Sequence, residues 1–165
     1  VDIETIKQRL QLPPLKDYET VLLALSHNSY TKEAHENQPQ LSQKLRLQHK
    51  RLAHLGDGIM NAAVTDYLFH EFPDADQGNL TQKSQPLKER RKGAYWYALH
   101  VGLDQICRVG GSINETAKKG DMFGEMFEAL MGAIYLESDR NFSVARDWFH
   151  DQCGVVIEQQ ISRKN

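Results

Sequence analysis

Apolar residues recur with a helical period along almost the whole chain, and no stretch of strand length alternates apolar with polar residues. That property confines the fold to packed helices. The strongest case is "HKRLAHLGDGIMNAAVTDYLFHEFP", His49 to Pro73, where Leu52, Leu55, Ile59, Ala63, Tyr67 and Leu68 form one continuous stripe. At about 1.5 Å per residue this helix is roughly 30 Å long, enough to cross the middle of a small domain. It carries an anomaly. Gly56 and Gly58 flank Asp57, and each glycine costs about 1 kcal/mol relative to alanine inside a helix, so something other than propensity keeps them there.

The other segments follow the same period. Ile3, Ile6 and Leu10 share a face and stop at Pro13 and Pro14; Asp17 can cap a helix bearing Val21, Leu22 and Leu25. The polar run from Thr31 to about Gln48 reads as a loop or a weak helix. Helical patterning resumes from Leu80 to Val101, where Pro86 is expected to kink the helix or restart it at Leu87. "VGGSINETAKKG", from Val109 to Gly120, reads as a polar loop. "FGEMFEALMGAIYL", from Phe123 to Leu136, is a strongly apolar helix, and Val144, Trp148, Phe149, Val156, Ile157 and Ile161 mark the last one.

A chain of 165 residues, 40% hydrophobic, fits one domain over residues 1–165 with a core that needs no metal or disulfide. No run is apolar enough to span a bilayer and no leader precedes the first helix, so a soluble, cytoplasmic protein without a membrane partner is expected. Cys107 and Cys153 are too few for a disulfide framework and lack metal-ligand spacing. A net charge of −2 argues against attachment to nucleic acid by overall charge, and leaves that task to local basic clusters.

Two of the candidate chemical groups lie in the strongly apolar helix from Phe123 to Leu136. Glu125 and Glu128 are three residues apart and share a face among Phe123, Met126, Phe127 and Leu130. A buried carboxylate there needs a cation or a metal; the bland alternative puts both on the solvated edge. Asp57 is the third. Its glycine neighbours suit a close helix crossing, with Asp57 paired to a basic side chain, whereas three convergent carboxylates suit a hard cation such as Mg²⁺ or Mn²⁺.

These segments carry a family resemblance. "RLAHLGDGIMNAAVTDYLFHEFP" resembles the signature helix of the ribonuclease III domain, E-R-L-E-F-L-G-D followed by an apolar helix ending in F-P. "MFEALMGAIYLE" is similar to its second signature, A-D-x-x-E-A-L-x-G-A-x-Y-L-D, and "LSHNSY" (Leu25–Tyr30) to its L-T-H-x-S-Y. "GNLT" (Gly78–Thr81) and "ALHVGLDQICRVGG" (Ala98–Gly111) match two further segments, all in the family's order. The resemblance implies an all-α ribonuclease III-type endonuclease domain that cleaves double-stranded or structured RNA in RNA processing. Hydrolysis would be metal-dependent, by a homodimer with a shared RNA valley. With no room before Asn165 for a double-stranded-RNA-binding domain in this sequence, a short form is expected.

Carried across residue by residue, the family's metal and catalytic set gives Asp57, Glu125 (where an aspartate is usual) and Glu128, with Asp57 and Glu128 as the catalytic pair. The remaining acids are absent. The glutamate opening the signature is Lys50, the one a turn before Asp57 is Ala53, and the acid preceding G-x-L-S is Gln77. Three of six carboxylates are thus replaced, one by a cation, so Mg²⁺ or Mn²⁺ would be weakly bound and cleavage reduced. His54, where the family has phenylalanine, and Asp121 are possible helpers, more simply read as surface hydrogen-bonding groups.

Two basic segments could meet RNA. "QKLRLQHKR" supplies Lys44, Arg46, Lys50 and Arg51, and "LKERRKGAYWY" supplies Lys88, Arg90, Arg91 and Lys92 among aromatics. Either alone is ordinarily a solvated helix face; beside the resemblance, phosphate contact by Lys50, Arg51, Gln77, Lys88, Arg90, Arg91 and Lys92 becomes the expectation. The resemblance also places Leu52, His54 and Leu55 near the two-fold of a homodimer. Three functions stay open: a ribonuclease of reduced activity, a degenerate domain that binds structured RNA without cutting, and an assembly module with a protein partner in an RNA-processing complex.

Overall fold

One long helix sets the frame of this computed structural model, which describes residues 2–111 and 119–163. Helix α4, Pro39–Glu71, has 33 residues and is therefore about 50 Å long. It starts ten residues before the His49 at which its apolar stripe begins. Together with α3, Asn28–Ala34, it makes helical most of the span from Thr31 to Gln48 that reads in the sequence as a loop or a weak helix. The reason is physical. Pro39 sits in the first turn, where a missing N–H costs nothing, and the early turns stand mostly in solvent, with Leu41 and Leu47 exposed and only Ser42 and His49 turned inward. A helix wetted on most sides has no apolar stripe to read.

Before it come α1, Ile3–Leu10, capped by Asp2, and α2, Glu19–Ala24. Asp17 accepts from the Glu19 N–H at 2.8 Å, close to the capping expected of it. After α4, Asp76 caps α5, Gln77–Lys88. Pro86 lies inside α5 without ending it; the break falls at Glu89, whose backbone is extended. A single π-helical turn, Arg90–Ala94, then leads into α6, Tyr95–His100, and α7, Leu103–Ile106. Residues 112–118 of the expected polar loop lie outside the described residues. The chain closes with α8, Lys119–Glu137, and α9, Phe142–Ser162, capped by Asn141.

Helix α8 is the core. Every residue from Met122 to Ile134 is buried, enclosed by α4 on one side and by the π-turn, α6 and α9 on others. Tyr97, Phe127 and Phe149 stack where α6, α8 and α9 meet, with ring centroids 5.0 and 5.5 Å from Tyr97. The buried Trp148 indole donates to the Leu10 carbonyl at 2.8 Å and so ties α9 to the end of α1. The fold is all-α, as the periodicity requires; among the described residues the only extended pairing is the isolated bridge Ser26–Arg108. Among them, too, no helix is long and apolar enough to cross a membrane.

Candidate functional site

Glycines bring α4 and α8 into backbone contact. A Cβ on Gly56 would lie 1.6 Å from the Glu128 carbonyl oxygen, and one on Gly132 would lie 2.5 Å from that of Leu52. Only a residue without a side chain fits either place, which accounts for one of the two glycines beside Asp57. Nothing in the structure explains Gly58, whose Cβ would meet no atom within 4 Å. The π-turn reaches α8 in the same way: Gly124 lies under the Arg90 carbonyl, where a Cβ would come within 2.2 Å. A π-turn is a device for re-aiming a helix locally. Here it delivers the Arg90 side chain to the carboxylates of α8.

Both glutamates are buried, with relative exposures of 7% for Glu125 and 1% for Glu128, so the solvated-edge reading fails. Each holds a cation from another element. Arg90 donates from Nε and Nη2 to Glu128 Oε2 at 2.9 and 2.6 Å, and its Nη1 stands 3.8 Å from Glu125 Oε2. Lys50 Nζ donates to the same Glu125 Oε2 at 2.7 Å. The buried His49 closes the far side: Nε2 meets the Ala24 carbonyl at 3.2 Å and, since a carbonyl can only accept, carries the proton there, while Nδ1 faces Glu125 Oε1 at 3.4 Å.

These partners act on the acids in opposite ways. Burial pushes Glu125 up, yet the His49 ring facing it and the hydrogen bond from Lys50 overcome that and hold the carboxyl at about 2. Burial pushes Glu128 above its ordinary value, Arg90 pulls against it, and the neighbouring Asp57 and Glu125 add to the rise. Glu128 in turn raises the Arg90 guanidinium. Asp57 is half-buried and receives a hydrogen bond from Asn61 Nδ2 at 3.2 Å, not from the basic side chain that the crossing alone suggests.

The remaining expected residues divide. Ala53, where the resemblance implies an acid, is 1% exposed and packed into the core. Gln77 opens α5 in an exposed position. Arg91 faces outward, its side chain 77% exposed, with Nε 3.5 Å from Asp121. Lys92 pairs with Glu89 at 2.9 Å, Arg51 is exposed, and burial lowers the half-buried Lys88 ammonium. Of the residues expected at a two-fold, Leu52 is buried, His54 is exposed and Leu55 half-buried, and all three line a groove of about 680 Å³ together with Leu23 and Leu136.

The residues present do not fit the expected metal. Among the described residues, no three His, Cys, Asp or Glu side chains are grouped closely enough to hold an ion, so Asp57, Glu125 and Glu128 are no ready ligand set. A cation already sits on each glutamate. Arg90, expected to meet RNA, has its guanidinium on Glu128, a partner that sequence reasoning did not assign to it. The signal was available: a carboxylate as deeply apolar as Glu128 requires a partner.

Helix order, glycine-tight crossing and paired acids together define a ribonuclease III-type nuclease fold. The ribonuclease-III-like family pattern matches residues 17–154, and the chain belongs to that family. It is 34% identical over 124 residues to ribonuclease 3 of Francisella philomiragia, covering 75% of this chain and 47% of that protein. To a ribonuclease 3 of a Nostoc species it is 31% identical over 133 residues, covering 79% and 54%. The chain thus spans about half the length of these relatives. The crystal structure of the nuclease domain of ribonuclease III from Campylobacter jejuni superposes with a TM-score of 0.70 at 25% identity, covering 96% of this chain and 95% of that one. A second structure of that domain, described as flexible in a region involved in dimer formation, gives 0.68 at 24%, covering 92% and 98%.

Proposed function

We propose that this chain is a ribonuclease III-type domain that binds double-stranded or structured RNA as a homodimer, in RNA processing, without cutting it at an appreciable rate. One observation carries the reading. Lys50 and Arg90 come from segments 40 residues apart and approach the same Glu125 oxygen, at 2.7 and 3.8 Å. The two basic segments therefore adjoin, and Arg51, Arg91 and Lys92, the chain neighbours of Lys50 and Arg90, are exposed. In a chain of net charge −2, such a junction is where phosphates can be held.

The same contacts argue against hydrolysis. Of the acids that the resemblance assigns to chemistry, Glu125 and Glu128 are buried and hold the chain's own cations, Asp57 is half-buried against Asn61, and Ala53 offers no carboxylate at all. Fixing RNA between Lys50, Arg51 and Arg91 is what these groups can do as they stand. His54 and Leu55, with the groove beside them, are the surface offered to a second copy.

A labelled RNA duplex tests this in two measurements on one sample. Filter binding should show affinity falling steeply with salt and weakening about equally for all sequences on Arg91→Glu. Single-turnover incubation of the bound duplex in Mg²⁺ or Mn²⁺ should leave it intact. Rapid metal-dependent cleavage would restore the nuclease reading, and binding indifferent to salt would favour an assembly module. Sedimentation should give a dimer mass at micromolar concentration; a monomer would remove the shared valley.

A further inference from the structure

We infer that Lys50 and Arg90 are resident cations standing in for a divalent metal, so that the folded chain takes up no Mg²⁺ or Mn²⁺ at these carboxylates. Asp57, Glu125 and Glu128 contribute three negative charges, and Lys50 and Arg90 return two positive ones, the charge of one divalent ion. The placement is specific to each carboxylate. Glu128 gives one oxygen to two Arg90 donors, at 2.6 and 2.9 Å, and Glu125 gives one oxygen to Lys50 at 2.7 Å. An arriving metal would have to break a two-point guanidinium contact on a residue 1% exposed, leaving that guanidinium beside it.

The other Glu125 oxygen is buried without a hydrogen bond, and it faces His49 Nδ1, which also lacks one. A lone pair in that position has no route to solvent. The backbone fixes the arrangement further, since Gly124 admits the Arg90 carbonyl and Gly56 admits that of Glu128. The cations are thus held by the crossing of α4, α8 and the π-turn, and they perform the charge compensation that keeps two glutamates in the core.

This rests on the reading of the site given above but not on RNA binding, so it is tested on the protein alone. The unfolding midpoint is measured in EDTA and in rising Mn²⁺ for the parent and for Lys50→Gln/Arg90→Gln. The parent should melt at the same temperature in both. The double variant should melt lower in EDTA and recover roughly 5 °C or more at saturating Mn²⁺, because an ion that binds only the folded state stabilises it. Adding Glu128→Gln should remove that recovery. A parent midpoint that climbs with Mn²⁺ overturns the inference, as does a folded double variant indifferent to the ion. A double variant that stays unfolded in Mn²⁺ also overturns it, since the ion then cannot replace the two side chains.

Discussion

Glu125 and Glu128 stand one turn apart on the same helix, yet their surroundings act on them in opposite senses. Glu125 lies at the rim, where His49 and Lys50 overcome burial and hold its carboxyl at about 2. Glu128 lies deeper, and burial keeps it above its ordinary value despite two bonds from Arg90. One turn of helix thus separates an acid stabilised by its cations from one that its cation merely makes tolerable. The inner pair should therefore be the costlier to break, even though the outer acid is the more perturbed.

Arg90→Met puts the contrast under the greatest strain. It leaves Glu128 buried and uncompensated, and should destabilise the fold by about 3–5 kcal/mol in urea unfolding. A loss under 1 kcal/mol would mean that Glu128 is neutral or wetted. Acid titration separates the two glutamates by sign. The native Glu125 value of about 2 lies below the ordinary glutamate value of 4.5, so its contribution is present above about pH 4.5 and lost as pH falls toward 2. Glu128 is raised, so its cost is relieved as pH falls. Urea melts at pH 6, 4 and 3 should show stability declining, and declining more steeply in Glu128→Gln. A flat profile would remove the pairing at the rim.

Gly56→Ala attacks the frame common to both acids. Its Cβ would drive into the Glu128 carbonyl, and the separation of α4 from α8 should cost about 1–3 kcal/mol. Gly58→Ala, with nothing nearby, should be neutral or slightly stabilising. A small loss belongs to Lys50→Met. With a side chain 55% exposed, Lys50 makes a pair worth about 1 kcal/mol or less in unfolding, although its loss should flatten the acid decline. A cost equal to that of Arg90→Met would erase the distinction between rim and core.

Much of this was legible in the sequence, because apolar period and glycine placement report directly on helix packing. The stripe of α4, the core helix α8 and the close crossing at Gly56 follow from residues that must be buried. Less legible were features set by solvent or by direction. The polar early turns of α4 carry no stripe, and Pro86 could not show that the chain would turn at Glu89. Arg90 sits in a run of cations in which Arg91 and Lys92 face outward, and only the π-turn decides which one points in. Asp57 read equally well as a metal ligand or as a crossing residue paired with a basic side chain; in the structure its hydrogen-bond partner is Asn61.

A double-mutant cycle between Arg90 and Glu128 asks whether the inner carboxylate is held by the chain's own guanidinium. Unfolding free energies are measured for the parent, Arg90→Met, Glu128→Gln and the double variant, in EDTA. A formed pair gives a coupling of about 2–3 kcal/mol, the double variant being less damaged than the two single losses together imply. Additive losses, with coupling indistinguishable from zero, would show that Arg90 does not hold Glu128 and would return that carboxylate to a metal.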